Sequence, residues 1–261
     1  MVEVAVVQLT LVLSAGGPVG LPVHYAGLVQ GLLYRVMENP ALKSYLHERG
    51  FAYENRRFKL FTFSRLMSGA VRYDRNTGSL LLNPPIYLVI CSPVSFILQE
   101  IGTGLLRRGR LRLGPARLEV REMYTAAPRV TQNTIRVRML SPLVVYSTLP
   151  TANGRKFTYY YSPFEPRFSE LVRENLAKKY ALVHGRPAFA DGFAIRPVGV
   201  TEKDHKITRY KDTIIKGWMG KYELSGDPDL LQVALDAGLG SKNSQGHGCC
   251  ALVRREREDP F

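Results

Sequence analysis

The eleven residues from Gly238 to Gly248, reading Gly-Leu-Gly-Ser-Lys-Asn-Ser-Gln-Gly-His-Gly, constrain the fold more than any other stretch of the chain. Glycine loses more backbone freedom on folding than any other residue. Four of them in so short a span therefore point to a loop that needs positive φ or a close approach of backbone. An amphipathic helical pattern, Asp227 to Ala237, precedes the stretch and a short apolar run, Cys249 to Val253, follows it, so the loop joins a helix to a strand. Lys242, Asn243, Ser244 and Gln245 supply donors suited to phosphate or sugar oxygens. This is not a nucleotide-triphosphate loop, because the helix comes first and no Gly-Lys-Ser/Thr follows. It is not a dinucleotide fingerprint either, since Asn243 stands where the third glycine is required. Taken alone, it reads equally as a glycine-rich turn with polar filler.

The 261 residues suffice for one large domain or two of ordinary size with a real core. Lys and Arg number 36 against 22 acids, a net charge of +14, which exceeds what solubility requires and points to a polyanionic partner. The basic residues are interleaved with apolar ones, as in Arg107 to Arg112 and Arg136 to Arg138, which favours a folded basic surface over a disordered tail. Val2 to Leu13 is apolar but lacks a basic leader and is too short to span a bilayer, so it reads as a first strand, with no membrane partner and no export signal. Cys91, Cys249 and Cys250 suit neither a disulfide framework nor a Cys-x-x-Cys metal knuckle and read as small core residues in a reducing cytoplasm.

In chain order, Val2 to Ser14 predicts a strand ended by Gly16-Gly17-Pro18. A helix follows with Pro22 near its first position and Tyr25, Leu28, Val29, Leu32, Leu33 and Val36 on one face. Off that stripe lie Gly27, Gly31 and Tyr34. Two glycines inside a helix cost about 1 kcal/mol each, so either a ligand or another packed element comes close there. Asn39 and Pro40 open a second short helix that stops at Gly50, with His47 in its last turn. Phe58 to Ser64 predicts a strand, Arg72 to Asn83 a hairpin about Asn76-Thr77-Gly78, Ser92 to Gly109 a helix, and Arg110 to Arg121 a strand. This is a ferredoxin-like βαββαβ order. Beyond a polar linker come strands at Ile135 to Ser147 and Arg155 to Tyr161, a helix from Pro166 to Leu182, strands at Phe193 to Thr201, His205 to Lys211 and Thr213 to Leu224, then the last helix, the loop and a closing strand. The expectation is an α+β protein of two tandem ferredoxin-like domains, 1–124 and 135–261, joined by 125–134.

Sheets of this kind bind single-stranded RNA by stacking bases on aromatics beside cations, and Arg155, Lys156, Tyr159, Tyr160 and Tyr161 form such a set; the alternative is a strand with one face in the core. RNA carries its own nucleophile in the 2′-OH. An enzyme that cleaves it needs only a base, an acid for the leaving 5′-oxygen and a cation for the charged phosphorane. His47, Tyr34 and Lys59 supply those chemical types within one short region, and no Asp/Glu/His cluster has metal-ligand spacing.

Leu239 to Gly248 resembles the C-terminal glycine-rich loop of the CRISPR repeat-RNA processing endoribonucleases, the sixth CRISPR-associated protein family of the RAMP superfamily. Leu21-Pro22, Val29-Gln30-Gly31-Leu32-Leu33-Tyr34, Tyr45-Leu46-His47, Lys59 to Ser64 and Arg138 to Leu143 are similar to successive blocks of members with twin ferredoxin-like domains. The resemblance implies cleavage of CRISPR precursor RNA within its repeats, without metal or cofactor, leaving a 2′,3′-cyclic phosphate and a 5′-hydroxyl. It implies His47 for proton transfer, Tyr34 for positioning the scissile phosphate or assisting that transfer, and Lys59 for stabilising negative charge. Gly238, Gly240, Ser241, Lys242, Asn243, Ser244, Gln245, Gly246 and Gly248, with Arg155 and Lys156, would bind the RNA. His247, Cys249 and Cys250 depart from the family pattern, which favours an aromatic and larger apolar residues. The alternatives are a non-catalytic RNA-binding subunit working with other CRISPR effector subunits and a generic basic scaffold of a ribonucleoprotein. Monomer and homodimer are both compatible with the sequence.

Overall fold

A computed structural model describes residues 7–150, 154 and 156–253. The first half is built on an antiparallel sheet whose strands lie in the order Arg110–Leu113, Ala116–Ala126, Gln8–Ser14, Ile86–Cys91, Thr62–Phe63. Helices α1 (Ala26–Val36) and α3 (Ser95–Arg108) contribute to the same core, with the short α2 (Pro40–Ser44) between them in sequence. Setting aside the edge strand Arg110–Leu113, the chain runs βαββαβ, and its strands, numbered along the chain, lie across the sheet in the order fourth, first, third, second, which is the ferredoxin-like arrangement. The second half repeats it. Its strands lie in the order Ala194–Val198, Lys221–Ser225, Thr134–Met139, Cys250–Leu252, with α4 (Pro166–His184) and α5 (Pro228–Ala237) as the two helices. Two such units in tandem is the architecture.

Periodicity accounts for most of these elements. Val29, Leu32, Leu33 and Val36 of α1 are buried at helical spacing, and Arg110-Leu111-Arg112-Leu113 alternates out and in as an edge strand does. Gly104 of α3 allows the helix to close on the end of α1, because a Cβ there would overlap the Val36 carbonyl. The buried residues of one core run from Leu9 to Leu118; those of the other run from Ile135 to Cys250, with Leu60 reaching across from the first half. Val89, Cys91, Leu140 and Cys249 form a small cluster that joins the halves. All three cysteines are free and buried.

Several strands are shorter than their apolar runs predict. Phe58 to Ser64 is broken by Leu60 at φ 51°, so Arg56–Phe58 pairs with Phe51–Tyr53 while Thr62–Phe63 pairs with Ile86–Cys91. Arg110 to Arg121 folds back at Gly114 (φ 59°) into a hairpin, Thr213 to Leu224 splits at Gly220 (φ 103°), and Ile135 to Ser147 stops at Met139 and resumes at Tyr146. Pro22 ends the strand Val19–Pro22, which pairs with Ser79–Leu82, and α1 begins only at Ala26. Proline has no N–H to donate, and a strand end tolerates that as well as a helix start does. The inner strand Ile86–Cys91 has no alternation to betray it, because nearly every residue is buried.

Candidate active site

Asn39 caps α2 by accepting from the Leu42 N–H at 3.0 Å, with Pro40 behind it. From Tyr45 to Arg49 the helix widens into a π turn and ends at Gly50, whose N–H donates to the Tyr45 carbonyl at 2.6 Å. Such turns are over-represented at functional sites because they re-aim side chains. Here Leu46 is buried and His47 is exposed. Two donors from other segments reach the carbonyls of this last turn: Tyr34 Oη donates to Leu46 O at 3.4 Å, and Lys59 Nζ donates to His47 O at 3.0 Å. The rings of Tyr34 and His47 meet edge-on, 5.8 Å apart at 82°. Gly50 makes room for the lysine, since a Cβ there would stand 2.5 Å from Phe58 O and 3.0 Å from Lys59 Cδ.

Imidazole, phenol and ammonium thus converge from three segments of the first half. The carbonyl end of a helix carries partial negative charge, which would repel a phosphate; the two donors cover it. Burial pushes the Tyr34 phenol up to about 12, with Tyr210 adding to the shift, so near neutrality it is a hydrogen-bonding group and not a base. The Lys59 ammonium is pushed down, first by burial and then by Arg57.

The glycine loop is wired from behind. Gly238, Gly240, Gly246 and Gly248 have φ of 78°, 62°, 83° and 75°, as their number in so short a span demands. Lys179, 1 % exposed in α4, donates to Gly238 O at 2.7 Å and Gly240 O at 2.9 Å. Asn243 Nδ2 donates to Leu239 O at 3.0 Å and His247 O at 3.1 Å, so its amide donors shape the loop. Gln30 Nε2 donates to Ser244 O at 2.7 Å, and Thr62 Oγ1 to His247 O at 2.9 Å. Five carbonyls that would repel a phosphate are therefore occupied by protein donors. Ser241 N donates to Val144 O at 2.8 Å, and Lys242 Nζ lies 5.0 Å over the Tyr146 ring, its pKa lowered by burial. Gln245 has a buried Oε1 without a partner among the described residues.

Between the two regions runs a cleft of about 340 Å³ whose walls include Arg56, Arg57 and Lys59 from the first half, Lys178 from α4, and Ser241 and Lys242 from the loop. Its one carboxylate, Glu174, is paired with Arg167 at 3.0 Å. Excess positive charge in a cleft attracts a polyanion and concentrates it there.

Among its described residues the tyrosine hairpin lends the cleft only Tyr146. Lys156 is exposed opposite Pro150 at the connected end of the pair Tyr146–Pro150 and Lys156–Tyr160 and does not line the cleft; Arg155 lies outside the described residues. Tyr159 Oη donates to Glu165 at 3.0 Å, Tyr160 Oη donates to Ile214 O at 2.9 Å, and Tyr161 packs on the second core. His247 is 2 % exposed, with Nε2 3.2 Å from Thr208 Oγ1, so it is a buried spacer and not a surface contact. Burial lowers its pKa to about 4 and keeps it neutral.

Lys179 and Gln30 are site residues that sequence reasoning overlooked. Lys179 had a readable signal, for it follows Leu176 by three and Val172 by seven on the apolar stripe of α4, where a charged residue is out of place. Gln30 had none, because its partners lie 180 and 214 residues away.

Two antiparallel βαββαβ units sharing a cationic cleft, with a glycine clasp on the second, define a tandem ferredoxin-like protein of the RAMP class. Sequence profiles described as "CRISPR-associated protein Cas6, N-terminal" and "CRISPR associated protein Cas6, C-terminal" match residues 20–124 and 125–252. The chain belongs to the Cas6 family. It is 28 % identical over 224 residues to CRISPR-associated endoribonuclease Cas6 1 of Methanocaldococcus jannaschii, covering 84 % of this chain and 82 % of that one. To CRISPR-associated endoribonuclease Cas6 of Pyrococcus furiosus it is 26 % identical over 236 residues, covering 87 % and 82 %. A solved CRISPR associated protein Cas6 superposes with a TM-score of 0.77 at 25 % identity, over 95 % of this chain and 99 % of that one.

Proposed function

We propose that this protein is an endoribonuclease that cuts CRISPR precursor RNA within its repeats; the two relatives are each named a CRISPR-associated endoribonuclease. The observation that carries the reading is the meeting of His47 and Tyr34 with Lys59, which alone of the three lines the cationic cleft shared with the glycine loop. His47 moves the proton: the 2′-oxygen loses its hydrogen as it bonds to phosphorus, and the 5′-oxygen gains one as its bond to phosphorus breaks. Tyr34, held protonated, orients the phosphate. Lys59 offsets the charge that builds on the non-bridging oxygens of the phosphorane. The products are a 2′,3′-cyclic phosphate and a 5′-hydroxyl, and the step uses protein groups only.

In this reading residues 1–124 carry the chemistry, 125–134 link, and 135–261 grip the strand through Gly238, Gly240, Ser241, Lys242, Ser244, Gln245, Gly246 and Gly248, with Asn243 shaping the loop. Arg155 and Lys156 extend the basic surface. Buried free thiols suit the cytoplasm, and among the described residues no helix is long and apolar enough to cross a membrane. The test is labelled repeat RNA with purified protein in EDTA. We expect one cut, a 5′ end that a kinase phosphorylates directly, and a loss of about 10²–10⁴ in rate for His47→Ala with binding retained. A wild type that binds repeat RNA and never cuts it would leave only an RNA holder.

A further inference from the structure

The groups that react and the loop that grips belong to different halves of the chain, so where the RNA is cut depends on how those halves are held in register. A misplacement of about 1 Å at a reacting centre can cost on the order of a hundredfold in rate. Two contacts fix the foot of the loop to the first half: Thr62 Oγ1 donates to His247 O, and Gly246 lies against Phe63, where a Cβ would stand 2.6 Å from the ring. Neither reaches its tip. The tip is held by Gln30 of α1, whose Nε2 donates to Ser244 O at 2.7 Å while its Oε1 accepts a short hydrogen bond from Tyr210 Oη. Gln30 precedes Tyr34 by four residues, so both project from one face of the same helix, one turn apart.

These contacts close a circuit. The hairpin of His205–Tyr210 and Thr213–Trp218 lays the Tyr210 ring over Gly27, 3.6 Å from where a Cβ would be, and holds His24 Nδ1 through Arg209 N at 3.3 Å. The same hairpin meets the loop again through Thr208 and His247 at 3.2 Å. From Gln30 one can pass to Ser244, along the loop to His247, across to Thr208, up the hairpin to Tyr210 and back to Gln30. Only an amide with glutamine's reach satisfies both ends, since it accepts from a phenol and donates to a carbonyl at once. Glutamate would face Ser244 O with a second acceptor, and leucine would bond to neither.

We infer that Gln30 is a positioning residue that sets which phosphodiester of the gripped strand is presented to Tyr34 and His47. The inference rests on the nuclease reading above and extends it from what is cut to where. Its test is single-turnover cleavage of repeat RNA with the product ends mapped to the nucleotide, beside an affinity measurement and a melting curve. Wild type is expected to cut at one bond. Gln30→Leu should bind RNA within about twofold of wild type, cut at least about tenfold more slowly, and cut at neighbouring bonds as well. Should Gln30→Leu fail to fold, Tyr210→Phe removes a single hydroxyl and is expected to blur the cut in the same direction by a smaller amount. A purely structural role would lower the melting temperature and leave the cut at its one bond, and that outcome overturns the inference. So does an affinity that falls in step with the rate, which would make Gln30 part of the grip. A wild type that never cuts defeats the nuclease reading itself, which is a different failure.

Discussion

His47 and His247 belong to two regions that are held in opposite ways. The first sits exposed on a π turn, its backbone carbonyl tied to Lys59 and its ring in edge contact with Tyr34. The second is buried in a loop whose carbonyls are bonded by Lys179, Asn243, Gln30 and Thr62. On the proposed reading His47 takes up and gives back a proton, and a group that does so must remain accessible to the RNA. A surface that grips a flexible strand gains from having its own entropy cost met during folding. The loop is therefore where substitutions should damage the fold, and the helix end is where they should damage only the chemistry.

The hardest blow to the loop is Gly248→Ala. A Cβ at this position, which has φ +75°, would overlap the Leu239 carbonyl and stand 2.6 Å from Asn243 Nδ2. Left-handed strain of roughly 1–3 kcal/mol plus the loss of Asn243's two hydrogen bonds should cost about 4 kcal/mol. Urea denaturation at pH 7 measures it. His47→Ala, by contrast, should leave the midpoint where it was. Equal destabilisation by the two substitutions would erase the distinction between the regions.

A second contrast lies in the response to acid. The folded pKa of His247 is about 4, below the ordinary 6.5, so unfolded chains bind more protons between those values. Stability from this group is present above pH 6.5 and is lost as pH falls toward 4, by about 3 kcal/mol. Asp236 works against it. Burial raises its carboxyl from 3.8 to about 7, so its contribution is present at low pH and is lost as pH rises through 7. His247→Phe should therefore gain stability relative to wild type on going from pH 7 to pH 4, as read by denaturant midpoints at each pH. A difference between the two proteins that stays constant with pH would mean that His247 is not buried in its neutral form.

How much of this was legible in the sequence follows from the range of each interaction. Local rules located the loop, the Asn39 cap, the hairpin about Asn76-Thr77-Gly78 and the helical faces, because the causes lie within a few residues. They also bring Tyr34, His47 and Lys59 into view, since the three are close in sequence and the family resemblance names them. The breaks at Leu60, Gly114 and Gly220 were hidden because an apolar run carries on through a left-handed residue without changing its pattern. Lys179 stood out on its apolar stripe, but that it and Gln30 pin the loop was hidden, because their partners lie dozens to hundreds of residues away. It is decided by how the two sheets dock, which no window along the chain contains.

The smallest expected effect tests the helix that links the two regions. Gly31 of α1 sits between Gln30 and the turn that carries Tyr34, and a Cβ there would meet nothing within 4 Å. Packing does not require this glycine, so alanine should stabilise the helix by roughly 0.5–1 kcal/mol and raise the melting temperature by about 2 °C. A mid-helix glycine that forgoes such stability without a packing return fits a face over which the RNA passes closely on its way from the clasp to His47. Natural proteins commonly sacrifice stability at such places. Gly31→Ala should thus melt higher and cut several-fold more slowly, the two readouts moving in opposite directions. Undiminished cutting by the stabilised variant would move the path of the strand off this face, and an unchanged melting temperature would mean that the glycine meets a neighbour after all.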